Sequence, residues 1–138
     1  MPAKDIYHDT VKNALIKDGW TITNDPLTIE YGPKDLFVDL GAKKLIAAQK
    51  SEQKIAVEIK SFTGASQMND LEKAIGQYIV YKNILEETEV DRHLYLAISE
   101  KAFKDIFSEP LGKLILIKNN LKLIVFNPKI EEIVKWIA

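Results

Sequence analysis

Cysteine is absent from the chain. Its absence removes disulfides, thiolate metal sites and cysteine nucleophiles. Histidine is scarce, and His8 and His93 alone cannot build a multi-histidine zinc site. No apolar run approaches the roughly 20 residues needed to span a bilayer. The polar start Met1-Pro-Ala-Lys-Asp5 is unlike a signal peptide. The sequence therefore predicts no membrane association and a cytoplasmic location. Excess charge of one sign is also missing. The formal net charge is −1, so binding to DNA would need a local patch or a metal ion. Arginine is nearly absent: of the 19 basic residues only Arg92 is not lysine, which argues against bidentate readout of guanine.

What remains is ordinary for a folded domain. Apolar residues make up 46% and charged residues 28% of 138 positions, which suits one domain spanning 1–138 with a real core.

The periodicity predicts a helix over 3–18, stopped by Gly19, and a short strand from Trp20 to Thr23. Asn24-Asp25-Pro26 and Gly32-Pro33 read as turns. Residues 35–49 alternate, with a bulge expected at Gly41, and 50–54 read as a polar turn. Ile55–Lys60 is the next strand and 67–87 a long helix, ended by the acidic loop Glu86–Asp91. His93–Ser99 reads as a strand and Glu100–Phe107 as a short helix. Residues 110–118 fit a helix opened by Pro110, with a hairpin around Asn119-Asn120 as the alternative. After a strand at Leu121–Phe126, Asn127-Pro128 predicts a final helix with Ile130, Ile133, Val134 and Ile137 inward. Early short turns and a parallel crossover through the long helix before His93 imply an α/β fold, a mixed central sheet flanked by helices.

The chemistry-bearing segment is Val38-Asp39-Leu40 followed by Ala56-Val57-Glu58-Ile59-Lys60. An acid two residues before a lysine means little alone, since this composition yields about two or three such triplets by chance. Glu52-Gln53-Lys54 lies in the polar stretch and reads as solvated surface. Glu58 and Lys60 instead interrupt an apolar strand, where charge is costly to bury. A period of two puts Ala56, Glu58 and Lys60 on one face, opposite Ile55, Val57 and Ile59. Asp39 interrupts its own strand in the same way. If the strands are neighbours, Asp39, Glu58 and Lys60 converge. A half-exposed sheet face carrying one structural salt bridge accounts for the pattern equally well.

Asp39 followed by Glu58-Ile59-Lys60 resembles the signature of the restriction-endonuclease-like PD-(D/E)xK nuclease superfamily. The resemblance implies that superfamily's core fold and a site for Mg²⁺ or Mn²⁺. Asp39, Glu58 and the Ile59 carbonyl would be ligands, all oxygen as such ions prefer. Lys60 would orient the attacking water and offset developing phosphate charge. Gln77 and Tyr81 are four apart on one helix face and resemble the extra motif of RecB-like nucleases. In related nucleases an acid on the first helix assists the metal, which makes Asp5 and His8 candidates. A plain helix start, with Asp5 at the positive dipole end, is the alternative. His93 reads as structural.

A resemblance covering nearly the whole chain is to the XisH family of cyanobacterial excision controlling factors. It is carried by His8 with the first helix, Asp18–Thr23, Val38–Leu40, Ile55–Phe62, Gly76–Tyr78 with Tyr81, Leu94–Ala97 and Trp136. Membership implies a role in excising a DNA element during heterocyst differentiation, with DNA, a site-specific recombinase and the companion protein XisI as partners. Three functions stay open: a metal-dependent endonuclease, a non-catalytic accessory factor, and an interaction module with a vestigial site. Lys43, Lys44, Lys50 and Lys54 are candidates for a basic border to the site, or for a merely solvated hairpin. Tyr7 and Trp136 read as exposed and are candidates for a homo-oligomer or partner surface.

Overall fold

The alternation that isolates Glu58 becomes the middle of the sheet. A computed structural model of the chain describes residues 4–138. Its elements in order are α1 (His8–Lys17), β1 (Thr21–Asn24), β2 (Leu27–Tyr31), β3 (Lys34–Val38), β4 (Leu40–Ile46), β5 (Ser51–Ile59), α2 (Gln67–Thr88), β6 (Arg92–Ser99), α3 (Glu100–Ala102), α4 (Pro110–Lys118), β7 (Leu123–Asn127) and β8 (Glu132–Ile137). Strands β1-β4-β5-β6-β7-β8 form one sheet, and β2 and β3 form a separate hairpin. The pairs β5–β6 and β6–β7 are parallel, and the others are antiparallel. This is the mixed α/β sheet that short early turns and two helical crossovers require.

Each sheet face has its own core. Val11 and Leu15 of α1 and Trp20 pack on Ile55, Val57, Ile59, Ala97 and Phe126. The opposite face, with Ala56, Leu96 and Val125, is covered by Leu71, Ala74, Tyr78 and Leu85 of α2 and by the β2–β3 hairpin. Tyr78 pins this layer: its buried ring brings the hydroxyl to accept the Lys122 N–H at 3.1 Å.

Several expectations need correction. The run 35–49 is not one strand. Val38 faces the α2 core and Leu40 the α1 core, with a bend at Asp39 where the hairpin hands over to the sheet. The bulge lies not in Gly41's own strand but opposite it: β1 shifts register between Ile22 and Asn24, and Asn24 faces Gly41. A Cβ at Gly41 would meet Asn24 Oδ1 at 2.9 Å, so a larger residue there would push the Asn24 side chain aside. Residues 51–54 are strand, not turn, because Ser51 to Lys54 pair with Ile46 to Lys43. The turn is the short 3₁₀ segment Ala47–Gln49, closed by Lys50 in the left-handed region. Strand β2 went unread between its two turns, although Leu27 and Ile29 alternate inward.

The first helix starts at His8, later than position 3, and Met1–Ala3 lie outside the described residues. The helix over 110–118 forms, with Pro110 in its first turn as expected. The final helix does not. Glu132–Ile137 is instead a strand antiparallel to β7. Residues 130–137 carry a helical period, but the open edge of β7 satisfies their backbone in the ladder. Trp136 then seats against Trp20 at 5.6 Å and Tyr95 at 5.1 Å between ring centroids. Trp136 and Tyr7 are therefore half-buried rather than exposed; Tyr7 meets Phe126 edge-on at 5.4 Å.

Candidate functional site

Asp39 stands at the bend before β4, and Glu58 is the penultimate residue of β5. Leu40 pairs with Val57, so the antiparallel register brings these acids to the same end of the sheet. There they interlock. Ile59 N–H donates to Asp39 Oδ2 at 2.8 Å, and Asp39 N–H donates to Glu58 Oε1 at 3.3 Å. Lys60, just past the strand, places Nζ 3.3 Å from Glu58 Oε2. The Glu58 side chain is 8% exposed and that of Lys60 27%, so the ammonium is the half of the pair that solvent or substrate can reach. The convergence of Asp39, Glu58 and Lys60 expected from the sequence is present.

The electrostatics are those of a crowded anionic site. Burial, then the adjacent Asp39 carboxylate, pushes Glu58 up to about 7, against the pull of Lys60. Burial also raises Asp39, and its hydrogen bonds from Ile59 and Glu58 only partly offset that. One lysine faces two acids, Glu58 buried and Asp39 half-buried.

The neighbours differ in reach. Tyr81 of α2 is buried, and its hydroxyl is pushed up by burial and then by the charges of Glu58 and Asp39. Gln77, one turn earlier on α2, is exposed. Asp5 does not join His8 on the helix. Its Oδ1 accepts Tyr7 N–H at 2.9 Å and its Oδ2 accepts Ser61 N–H at 3.1 Å, tying the first turn to the loop after β5. Asp5 and Lys60 line one cleft of about 190 Å³.

His8 is buried near Asp39, close enough that a charge on it would lower the Asp39 carboxyl. Its Nε2 lies 2.7 Å from Asp25 Oδ1, and Lys12 holds Asp25 Oδ2 at 2.8 Å. Its Nδ1 is buried without a protein partner. Nε2–H donation to Asp25 fixes the tautomer and leaves a lone pair on Nδ1. Asp25 went unread because Asp25-Pro26 has the signature of a turn, and nothing local links it to His8 17 positions earlier. Of the two readings of the lysines between the signature strands, the solvated hairpin fits. Lys43, Lys44 and Lys54 sit toward the opposite end of the β4–β5 hairpin and pair with Glu52, Asp18 and Asp91.

Among the described residues no three His, Asp or Glu side chains cluster closely enough to hold a metal ion by themselves. A hard cation would rest on the two carboxylates, a main-chain carbonyl and water. Mg²⁺ accepts such sets because it keeps several of its waters. The uncompensated repulsion between Asp39 and Glu58 suits that charge.

A family model of the XisH protein matches residues 1–134. The chain belongs to the XisH family. Two crystal structures are similar to it over nearly its whole length. One is an fdxN element excision controlling factor protein from Anabaena variabilis, 41% identical, with a TM-score of 0.88 over 98% of this chain and 100% of that one. The other is an XisH family protein from Nostoc punctiforme PCC 73102, 37% identical, with a TM-score of 0.88 over 97% and 100%. No curated protein matches the chain. These XisH structures share the mixed sheet and its helical cover. No helix among the described residues is long and apolar enough to cross a membrane.

Proposed function

We propose that this XisH protein is an excision controlling factor that acts on DNA in the cytoplasm, as a divalent-metal-dependent endonuclease of the PD-(D/E)xK type. The observation that carries this reading is the interlocked Asp39–Glu58–Lys60 set at one end of the sheet, a buried and a half-buried carboxyl with one reachable ammonium. A charged set of this kind in an apolar strand destabilises the fold and calls for a function.

Asp39, Glu58 and the Ile59 carbonyl would hold Mg²⁺ or Mn²⁺, which would supply charge neutralisation at a phosphodiester and acidify a water. The Ile59 N–H fixes the Asp39 carboxylate, and the Asp39 N–H fixes Glu58, so both stay oriented without substrate. Lys60 hydrogen-bonds the nucleophilic water and then faces the charge that develops on the phosphate oxygens. His8, turned by Asp25, offers its Nδ1 lone pair to a proton or a water beside Asp39. Tyr81 closes the apolar side. The partners proposed are DNA, a site-specific recombinase and the companion protein XisI, in the setting of heterocyst differentiation. A homo-oligomer remains part of the proposal, without Tyr7 and Trp136 as its surface.

The test is cleavage of labelled linear, nicked, branched and single-stranded DNA with Mg²⁺ and then Mn²⁺, comparing wild type with a Glu58→Ala/Lys60→Ala double variant. Cleavage by wild type alone supports the reading. Equal cleavage by both proteins removes the site from the mechanism.

A second reading is a non-catalytic accessory factor on the same scaffold. It is favoured by the lack of any three-side-chain metal cluster among the described residues, and by lysines engaged with surface acids. No cleavage of any substrate, with DNA binding retained, selects it.

A further inference from the structure

The parallel strands β5, β6 and β7 end side by side, and a crevice opens past their carboxyl ends, where open α/β sheets commonly take ligands. It is a cavity of about 700 Å³, within the range of small-ligand sites. Ser61–Thr63 form one wall of it and also one wall of the cleft that contains Lys60. The two spaces are therefore adjacent, and Phe62 stands between them. Phe62 is buried with φ at +54°, a left-handed conformation that a bulky side chain adopts only when its surroundings hold it there.

The two spaces differ in chemistry. The cleft carries the reachable Lys60 and Lys73 alongside Asp5 and Asp70, whose carboxylates are already engaged by the N–H groups of Tyr7, Ser61 and Gly64. In the cavity Lys101 and Lys129 are matched by Glu100 and Asp105, and Lys101 is tied to Asp105 at 2.8 Å. Its charges cancel. What remains are the rings of Tyr7 and Phe62, and the amides of Gln67 and Asn127. A charge-neutral space with aromatic walls and amide edges suits a planar heterocycle with donors and acceptors on its rim, rather than a phosphate.

We infer that this cavity receives the base and sugar of one unpaired nucleotide whose adjoining phosphate lies at Lys60, so that the protein takes single-stranded or locally opened DNA in preference to continuous duplex. The inference rests on reading the Asp39–Glu58–Lys60 site as a phosphodiester site. A paired base cannot enter, because its hydrogen-bonding edge and both faces are already occupied in the helix. The weak overall charge agrees: duplex binding without opening depends on many phosphate contacts, which a chain of net charge −1 is poorly equipped to make.

Binding decides this without cleavage. Amide resonances of the full chain are followed, without divalent cation, during addition of thymidine 5′-monophosphate and, separately, of inorganic phosphate. The nucleotide is expected to move the amides of Ser61–Thr63, of Ser99–Ala102 and of Asn127 and Lys129, and phosphate to leave the last two groups unmoved. A labelled oligothymidylate strand is expected to bind about tenfold tighter than the same strand annealed to its complement, one base's stacking being worth about that factor. Asn127→Ala and the surface variant Gln67→Ala each lower strand affinity, while Lys60→Ala keeps the nucleotide-induced shifts in the cavity. Phosphate moving the same amides as the nucleotide, duplex binding as tightly as single strand, or unchanged affinity in Gln67→Ala would overturn the inference. Absent cleavage with these shifts intact removes the nuclease reading alone, and cleavage without the shifts removes the cavity alone.

Discussion

Asp39 and Glu58 hold each other's strands: the Asp39 carboxylate takes the N–H that follows Glu58, and the Glu58 carboxylate takes the N–H of Asp39 itself. The two acids are thus pinned together despite their repulsion. The hydrogen bonds are local and directional, while burial raises both groups and the Asp39 carboxylate raises Glu58 further.

Glu58→Gln tests that balance through stability. The Glu58 carboxyl titrates near 7 in the folded chain, against 4.5 for the ordinary group. The folded state therefore holds this proton more tightly than the unfolded one. The contribution to stability is complete below about pH 4.5 and is lost as pH rises through about 7, on the order of 3 kcal/mol in all. Without divalent cation, Glu58→Gln should match wild type near pH 4 and exceed its Tm near pH 8, as read by thermal unfolding at both values. The same variant should bind Mn²⁺ more weakly by calorimetry. Unchanged Mn²⁺ binding would remove Glu58 from the ligand set.

Lys60→Ala should abolish cleavage, a loss of about a hundredfold or more for one charge-stabilising donor. The fold should survive, because the Lys60 head is the exposed half of the pair. Gel assays read the first and circular dichroism the second. Undiminished cleavage by a folded variant would sink the assigned role.

Asp25→Ala removes the acceptor that orients His8 and leaves a buried imidazole with neither nitrogen paired. The cost should be about 1–3 kcal/mol in urea unfolding, the usual penalty for stranding a buried polar group. Asp25→Asn, which keeps an acceptor, should recover most of it. ¹⁵N chemical shifts of His8 should show the Nε2–H tautomer in wild type and a mixture in Asp25→Ala.

Gly112→Ala places a Cβ against the carbonyl of Ile106 and 2.9 Å from the Phe107 Cα, backbone that cannot swing aside. A loss of about 3 kcal/mol is expected from overpacking, although alanine is the better helix former. Gly76→Ala, also helical but with open space around it, serves as the control and should be neutral or stabilising. Equal effects at both positions would contradict the close approach of α4 to the turn before it.

Much of the site was readable from the chain because strand geometry is periodic. Two charges in a run of Ile, Ala and Val must share a face or be expelled, and Glu58 and Lys60 do share one. Asp39 required one more step, the neighbourhood of its strand, which a short connection makes probable and the register confirms. The covalent pattern likewise determined the long crossover helix α2, whereas the helix opened by Pro110 was one of two readings it allowed.

Other features depended on groups far apart in sequence, and only the tertiary structure decided them. His8 meets Asp25 across 17 residues, and the cavity exists because three strand ends align. Residues 132–137 carry a helical spacing, yet they lie in a ladder because β7 offers an open edge and Trp20 and Tyr95 offer rings to Trp136. Local propensity is worth tenths of a kcal/mol per residue, whereas a paired edge and a half-buried indole packed on two rings are each worth several times that, so the nonlocal contacts win.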